Sequence, residues 1–156
     1  MASYPDILIT ASDSPRVLVA VEARLDHQRL ENAILQLKRY LVQMSCPVGL
    51  LVLPDELYLY RNKYTGIHES DVEQIGRYSL GGLFEGFRWE SEKQSPQERG
   101  RLFESYVQNW LERLPWGRGM DELTPELKRD LETHVAPALE AGIVRAAGPR
   151  ERWSRP

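Results

Sequence analysis

The chain has 156 residues, 42% of them hydrophobic and 28% charged, so it has the size of one domain and can bury a core. This balance excludes collagen-like, disordered and disulfide-scaffold proteins, and the single cysteine cannot form an internal disulfide. No apolar run approaches the roughly 20 residues of a membrane span, and the N-terminus lacks the features of a signal peptide. The sequence therefore predicts a soluble cytoplasmic protein without a membrane partner.

The formal net charge of −3 argues against a generally basic nucleic-acid-binding surface. Arginines make up 16 of the 20 cationic residues. The guanidinium group keeps its charge and its planar fork of donors, which suits contacts with phosphate. A residue-usage bias of the source genome explains the same count equally well, so the arginine content alone does not decide between the two interpretations.

The first 61 residues predict the order β-β-α-β-β. Apolar and β-branched runs separated by turn residues indicate strands, and apolar residues at three- and four-residue spacing indicate a helix. The predicted strands cover residues 4–10, 16–25, 48–53 and 57–60, and the helix covers residues 30–44. The first two strands are joined by a Ser-Asp-Ser-Pro turn and are expected to pair as a hairpin.

The second half predicts an irregular segment followed by helices. Glycines interrupt every periodic pattern between residues 62 and 94, so we expect an irregular insertion there, with one short strand over residues 75–80. Ser95 begins a helix that ends before Pro115, because serine, proline and glutamate stand at capping positions. A linker over residues 116–119 precedes a helix over residues 124–141, which Pro137 is expected to kink. Residues 1–148 are predicted to form a single domain with a helical part over residues 95–148, and residues 149–156 a disordered tail.

Charged residues near the ends of the first two strands form the candidate site. In the second strand, alternation places Glu22 and Arg24 on one face. An antiparallel hairpin brings Asp6, at the start of the first strand, opposite Glu22. Two carboxylates at the rim of a sheet are a typical arrangement for Mg²⁺, which prefers oxygen ligands. A charged pair at a strand end is more often a solvated salt bridge, so spacing alone leaves both interpretations open.

The order of these short motifs resembles the PD-(D/E)xK nuclease superfamily. Pro5-Asp6 is followed by Glu22-Ala23-Arg24, and a helix then carries Gln36 and Tyr40, as in the Gln-x-x-x-Tyr motif of RecB-type nucleases. The segment from Gln36 to Tyr60 is also similar in texture to nuclease domains of type I restriction enzymes. The resemblance covers residues 4–61 and implies an α/β, restriction-endonuclease-like fold with a mixed central sheet flanked by helices.

The resemblance also implies a function and its residues. Asp6, Glu22 and the backbone carbonyl of Ala23 are expected to bind Mg²⁺ or Mn²⁺, while Gln36 and Tyr40 support the strands or a phosphate. The expected activity is hydrolysis of DNA phosphodiester bonds, as an endonuclease or an exonuclease. On the helix, Gln36 and Tyr40 are equally well explained as a polar edge with a half-buried ring.

Two departures from the family pattern affect this expectation. Arg24 stands where the family has lysine, and a guanidinium with a pKa above about 12 cannot act as a base, although it can bind phosphate. The helix and strand that normally precede the Pro-Asp strand are also missing, because only five residues precede Asp6. The helix over residues 124–141 and the strand after it resemble this missing pair, so we hypothesise a circular permutation in which Glu126, Asp130 or Glu132 supplies a further carboxylate.

Three functions therefore remain open from the sequence. The first is a metal-dependent nuclease in which Asp6, Glu22, Arg24, Gln36 and Tyr40 act. The second is an inactive module of the same fold that binds nucleic acid or a protein partner. The third is a scaffold protein in which the pairing of the two carboxylates is a coincidence, and convergence of Asp6 and Glu22 in the fold would discriminate against it. A homodimer through an apolar helix face is also plausible.

Overall fold

The structure, a computed structural model, describes residues 5–116 and 120–146. Six strands are present in these ranges: β1 (Ile7–Ala11), β2 (Val17–Ala23), β3 (Val48–Val52), β4 (Glu56–Asn62), β5 (Val72–Ser79) and β6 (Gly142–Ala146). The α-helices are α1 (Leu30–Gln43), α2 (Glu85–Ser91), α3 (Pro96–Arg113), α4 (Pro125–His134) and α5 (Ala136–Ala141). Short 3-10 turns cover Glu69–Asp71 and Leu114–Trp116.

All six strands form one mixed sheet in the order β5-β4-β3-β2-β1-β6. Strands β2 and β3 are parallel, and every other neighbouring pair is antiparallel. The parallel pair is the one connected through α1, as a parallel connection requires a crossover. The predicted α/β class and mixed sheet flanked by helices are confirmed.

The two faces of the sheet are covered by different helices. In β2, Val19 and Val21 point into a large core that also contains Phe103 and Trp110 of α3. Ala20, between them, points to a smaller core beneath α1. Neighbouring residues from Val19 to Glu22 therefore point to opposite faces of the sheet. We call the side that carries α1 the α1 face, and Glu22 lies on it together with Ala20.

The first half of the chain follows the predicted pattern closely. The hairpin β1-β2, the helix α1 and the strands β3 and β4 are all confirmed within a few residues. In the second half, the Ser95 side chain accepts a hydrogen bond from the Glu98 N–H, and the Glu98 carboxylate accepts one from the Ser95 N–H. The kink at Pro137 is also confirmed, because α4 ends and α5 begins next to it.

The prediction for residues 62–94 is confirmed only for the strand over residues 75–80, which is the second half of β5, and the irregular insertion is wrong. An eight-residue strand, β5, pairs with the whole of β4, and α2 follows it. The glycines that obscured the pattern have local reasons. A Cβ at Gly76 would lie 2.4 Å from the Tyr78 hydroxyl, so glycine allows the tyrosine ring to fold over the strand. Gly81 has a φ of 55° and serves the turn after β5.

The C-terminal segment lies beside the first strand. β6 pairs antiparallel with β1, with Ile7 opposite Ala146 and Ala11 opposite Gly142. The expectation that residues 124–146 reach the strand next to Asp6 is therefore met by β6. The predicted tail, residues 149–156, lies outside the described residues, as do the linker residues 117–119 and the domain ends 1–4 and 147–148. None of the helices in the described ranges has the length and apolarity needed to cross a membrane.

Candidate metal centre

Asp6 is fixed by backbone hydrogen bonds to the end of β2. Its N–H donates to the carbonyl of Val21 at 3.0 Å. Its Oδ2 accepts a hydrogen bond from the N–H of Ala23 at 2.8 Å. These contacts continue the antiparallel pairing of β1 with β2 by one residue. The carboxyl group is thereby held over the point where β2 ends.

Glu22 meets Asp6 at this point. The side chain of Glu22 is buried, with the residue 7% exposed, and it forms a hydrogen bond with the Asp6 carboxyl group. Burial, followed by repulsion from Glu22, raises the pKa of Asp6 from 3.8 to about 7. Burial also raises the pKa of Glu22 above its usual range. The two carboxylates converge, as the hairpin predicted, and they resist being charged together.

A third carboxylate joins them from the opposite layer. Glu104 of α3 forms a hydrogen bond with Asp6, and its charge opposes ionisation of Glu22. The sequence analysis did not single out Glu104. In the sequence, Glu104 is a charged residue directly after Phe103. In the structure it is half-buried, on the face of α3 that packs against the sheet. A charge at the margin of an apolar stripe marks a position where the helix reaches a polar site.

The acidic residues proposed for this role on α4 lie elsewhere. Asp130 accepts a hydrogen bond from the Tyr78 hydroxyl, and Tyr78 belongs to β5, at the far edge of the sheet from β6. Glu126 and Glu132 are exposed on the same helix. Because α3 rather than α4 packs against β2, the helix that supplies the further carboxylate is α3.

Arg24 forms an ion pair with Glu22 of this cluster. Its Nε lies 3.7 Å from Oε1 of Glu22, and this Nε is buried without a hydrogen-bond partner. The side chain as a whole is 39% exposed. The inner end of the guanidinium therefore neighbours the carboxylates, and part of the group remains accessible to a ligand. Its position at the end of β2 is set by the bond from its N–H to the carbonyl of Val52.

Gln36 and Tyr40 have different surroundings on α1. Tyr40 is 8% exposed and packs in the core beneath the helix, whereas Gln36 is exposed. The flank with Ile34 and Lys38 borders the 3-10 turn before β5. Gln36 lies about 160° around the helix from Ile34, so it faces the β1 side of the sheet. The structure thus separates a core tyrosine from a glutamine on the flank nearer Asp6 and Glu22.

Lys38, the lysine of α1, contacts an aromatic ring. Its Nζ lies 5.6 Å from the centre of the Tyr60 ring, in a cation–π contact. That contact belongs to the β4 side of the helix. Lys38 is therefore directed away from the carboxylate cluster.

A further carboxylate, outside the cluster, lies at the end of the sheet where β2 ends and β4 begins. Glu56, at the start of β4, accepts hydrogen bonds from Arg77 at 2.6 Å, from Tyr58 at 3.1 Å and from the His27 ring at 3.1 Å. The hydrogen bond with Arg77 is the main cause that lowers the pKa of Glu56. In contrast with Asp6, this carboxylate has a cation and two further side-chain donors that satisfy its charge.

The donor set at Asp6 is the one that hard divalent cations prefer, namely carboxylate oxygens with a backbone carbonyl close by. Within residues 5–116 and 120–146, no three His, Cys, Asp or Glu side chains are already arranged around a single ion position. The cluster would therefore supply only part of a coordination shell, as is usual for Mg²⁺, which retains several waters.

Comparison of the chain with protein-family models, with curated proteins and with solved structures gives no match.

Proposed function

We propose that this chain is a metal-dependent hydrolase of DNA phosphodiester bonds. The observation that carries the proposal is the convergence of Asp6, Glu22 and Glu104 at the end of β2, with Arg24 at the rim. Asp6 interacts with both other carboxyl groups, and neighbouring negative charges in a partly desolvated site favour a bound proton or a bound cation. A divalent cation held by Asp6 and Glu22 would balance these charges and bring reactivity toward phosphate esters.

Asp6 and Glu22 are the side chains that would hold the metal, with the carbonyl of Ala23 between them in sequence. Bound Mg²⁺ or Mn²⁺ would polarise the phosphoryl oxygen and acidify a water. The N–H of Ala23 already orients the Asp6 carboxylate through Oδ2. This bond fixes the ligand before binding, which lowers the entropy lost when the site is occupied.

Arg24 is suited to bind the phosphate rather than to transfer a proton. It carries a permanent charge, and it keeps part of its side chain exposed beside the carboxylates. Such a cation stabilises negative charge that develops on the phosphoryl oxygens during hydrolysis. Proton acceptance then falls to a carboxylate. Glu104 is the best placed, because it contacts Asp6 without belonging to the motif that binds the metal.

The strand order supports a relation to the PD-(D/E)xK superfamily by circular permutation. In that family a helix and a strand precede the Pro-Asp strand. Here β6 pairs antiparallel with β1 and is preceded by α5, so a helix and a strand from the C-terminus occupy the expected position. Domain termini often lie close together, which makes permutation compatible with an unchanged core.

The replacement of lysine by Arg24 favours a second candidate function. Without a lysine to orient water, the same fold can bind nucleic acid and leave it uncut. In that case the carboxylates would still bind a divalent cation, and Arg24 would still contact phosphate. Both candidates therefore predict binding of a divalent cation and of DNA, and only the first predicts that the DNA is cleaved.

Cleavage of supercoiled and linear DNA, single- and double-stranded, tests the proposal in Mg²⁺ or Mn²⁺. We expect metal-dependent products from the parent, and a loss of at least about 100-fold in Asp6→Ala and Glu22→Ala, since each variant removes a direct metal ligand. Glu73→Ala is the matched control, because Glu73 pairs with Arg61 on the exposed side of β5.

The variant Arg24→Lys separates the two candidate functions. Cleavage by Arg24→Lys with none by the parent would establish an intact metal site that lacks only the lysine, and would favour the binding module. Products that persist in both alanine variants would contradict the proposal. No cleavage by any variant would also contradict it.

A further inference from the structure

The two halves of the α1 face are covered unequally. α1 packs against β2, β3, β4 and β5. On the opposite face, α3 and α5 pack against β1, β2 and β6. Ile143 of β6 remains 43% exposed, and Leu8 of β1 is half-buried at the margin of the core beneath α1. The α1 face of β1 and β6 therefore forms a shallow floor, which we call the open floor.

Arg145 stands on this open floor. It lies opposite Leu8 in the pairing of β1 with β6, which places both residues on the α1 face. Its Nε donates a hydrogen bond to the Thr10 hydroxyl at 3.0 Å, and the side chain is exposed. Among the described residues, no carboxylate lies within ion-pair distance of Arg145. Its guanidinium is thus oriented by Thr10, and within residues 5–116 and 120–146 its charge has no carboxylate partner.

The strand pairing gives the distances from Arg145 to Asp6 and to Arg24. Asp6 lies one strand away and two residues along from the Arg145 position, about 8 Å between Cα atoms for ordinary strand spacing. Arg24 lies two strands away and four residues along, about 16 Å from Arg145 by the same geometry. This separation matches the rise of roughly five duplex base pairs at about 3.4 Å each.

Charge complementarity identifies the class of ligand. Arg24 and Arg145 both have Nε on the protein side, next to Glu22 and Thr10 respectively. A guanidinium held in this way can offer its remaining donors to a phosphate in a bidentate manner. Two guanidinium groups lie on one face with the carboxylate cluster between them. This arrangement is complementary to a polyanion whose negative charges repeat along a line.

We propose that the open floor binds the sugar-phosphate backbone of DNA that extends from the carboxylate cluster toward β6, and that Arg145 contacts a phosphate a few nucleotides from the one at Arg24. This inference rests on the proposed function, since it names the surface on which the substrate of that site lies. Leu8 and Ile143 supply apolar contact beside the backbone.

Binding of a fluorescent 20-base-pair duplex and of its single strand, followed by anisotropy over a range of salt concentrations, tests the inference. The buffer contains Ca²⁺ in place of Mg²⁺, and a gel verifies that the DNA stays intact. For Arg145→Ala we expect about tenfold weaker binding, the loss of a hydrogen bond to a charged group. We also expect a salt slope that is smaller by about one. Arg145→Lys should retain the slope and recover part of the affinity.

Arg88→Ala is the matched control, because Arg88 is exposed on α2, which packs on the other side of the sheet. Equal binding by Arg145→Ala and the parent, in a protein that cleaves DNA, would overturn the inference alone. Absence of both cleavage and binding in the parent would overturn the proposed function and this inference with it. Weakened binding by Arg145→Ala without any cleavage would support the open floor and the binding-module alternative.

A second copy of the chain is the competing occupant of the open floor. Sedimentation of the parent and of Ile143→Asp distinguishes it, because an interface through β6 would dissociate in the variant. A dimer that dissociates in Ile143→Asp and excludes DNA would overturn the inference. A sedimentation coefficient that is the same in both proteins, together with weaker DNA binding by Arg145→Ala, would support it.

Discussion

Asp6 and Glu56 lie at the same end of the strands, but different groups surround their charges. Glu56 is bonded to Arg77, Tyr58 and His27, and its pKa is lowered. Asp6 contacts two further carboxyl groups, and its pKa is raised to about 7. Arg24 forms an ion pair with Glu22 beside it, at 3.7 Å.

This difference distinguishes a structural carboxylate from one available for a ligand. The hydrogen bonds of Glu56 connect the loop after β2 with β4 and β5, so they stabilise this end of the sheet. At Asp6 the protein has placed acidic groups where they oppose each other. Perturbed titration of this kind is typical of functional sites, because folding alone gives no reason to bring carboxylates together.

The largest expected effect is an opposite pH dependence of stability at the two carboxylates. Because the folded pKa of Asp6 is about 7 and its ordinary value is 3.8, the folded state binds the proton more tightly. Its contribution is therefore full below pH 4 and is lost as the pH rises to about 7. The loss is on the order of 4 kcal/mol. Glu56 behaves inversely, because its lowered pKa gives stability above 4.5 that is lost in acid.

Urea unfolding between pH 3 and pH 8, in EDTA and followed by tryptophan fluorescence, measures both contributions. Asp6→Asn should flatten the profile between pH 4 and pH 7, since asparagine resembles the protonated acid. Glu56→Gln should flatten it only below pH 4.5. Equal profiles for Asp6→Asn and the parent would show that the carboxylates at β2 do not repel each other.

The next effect is stabilisation by a divalent cation. A ligand at 100 times its dissociation constant stabilises the folded state by about 2.7 kcal/mol, which raises the Tm of a chain of this size by roughly 5–10 °C. We expect this increase with Mn²⁺ at pH 8 for the parent and for Glu56→Gln, and none for Asp6→Asn. A similar increase in Asp6→Asn, measured by differential scanning fluorimetry, would place the cation elsewhere.

The smallest expected effect concerns Glu104. If this side chain supports the cluster from α3, Glu104→Gln should weaken Mn²⁺ binding by about tenfold, in the lower part of the range for groups that support metal ligands. Glu112→Gln is the control on the same helix, because Glu112 is exposed and bonds to Gln108. Isothermal titration of the two variants measures the difference, and equal affinities would remove Glu104 from the site.

The contrast between Glu22 and Glu104 explains how much of the site was predictable. Glu22 interrupts an apolar strand, and the hairpin that pairs it with Asp6 is local, so the sequence pattern was sufficient to bring them together. Glu104 lies 82 residues further along on a helix whose position depends on packing against the sheet. No local pattern specifies which of the several acidic residues on the later helices reaches the end of β2.

The same distinction holds for the elements of the fold. Local signals determined α1, the hairpin and the capped start of α3, because periodicity and capping residues act within a few positions. They predicted only the second half of β5, because Gly76 looks like a strand breaker until the Tyr78 ring is seen to occupy the space above it. Nor could they establish the pairing of β6 with β1, although the sequence suggested it as a hypothesis.

The sequence by itself determined the α/β class, the order of elements in the first half and the meeting of Asp6 with Glu22. Only the tertiary structure decided that β6 completes the sheet, that Glu104 joins the cluster and that Arg145 stands on the open floor next to Thr10. The physical reason is the range of the interactions. Hydrogen bonds between neighbouring strands and apolar periodicity are set locally, whereas the environment of a charge depends on every segment that packs around it.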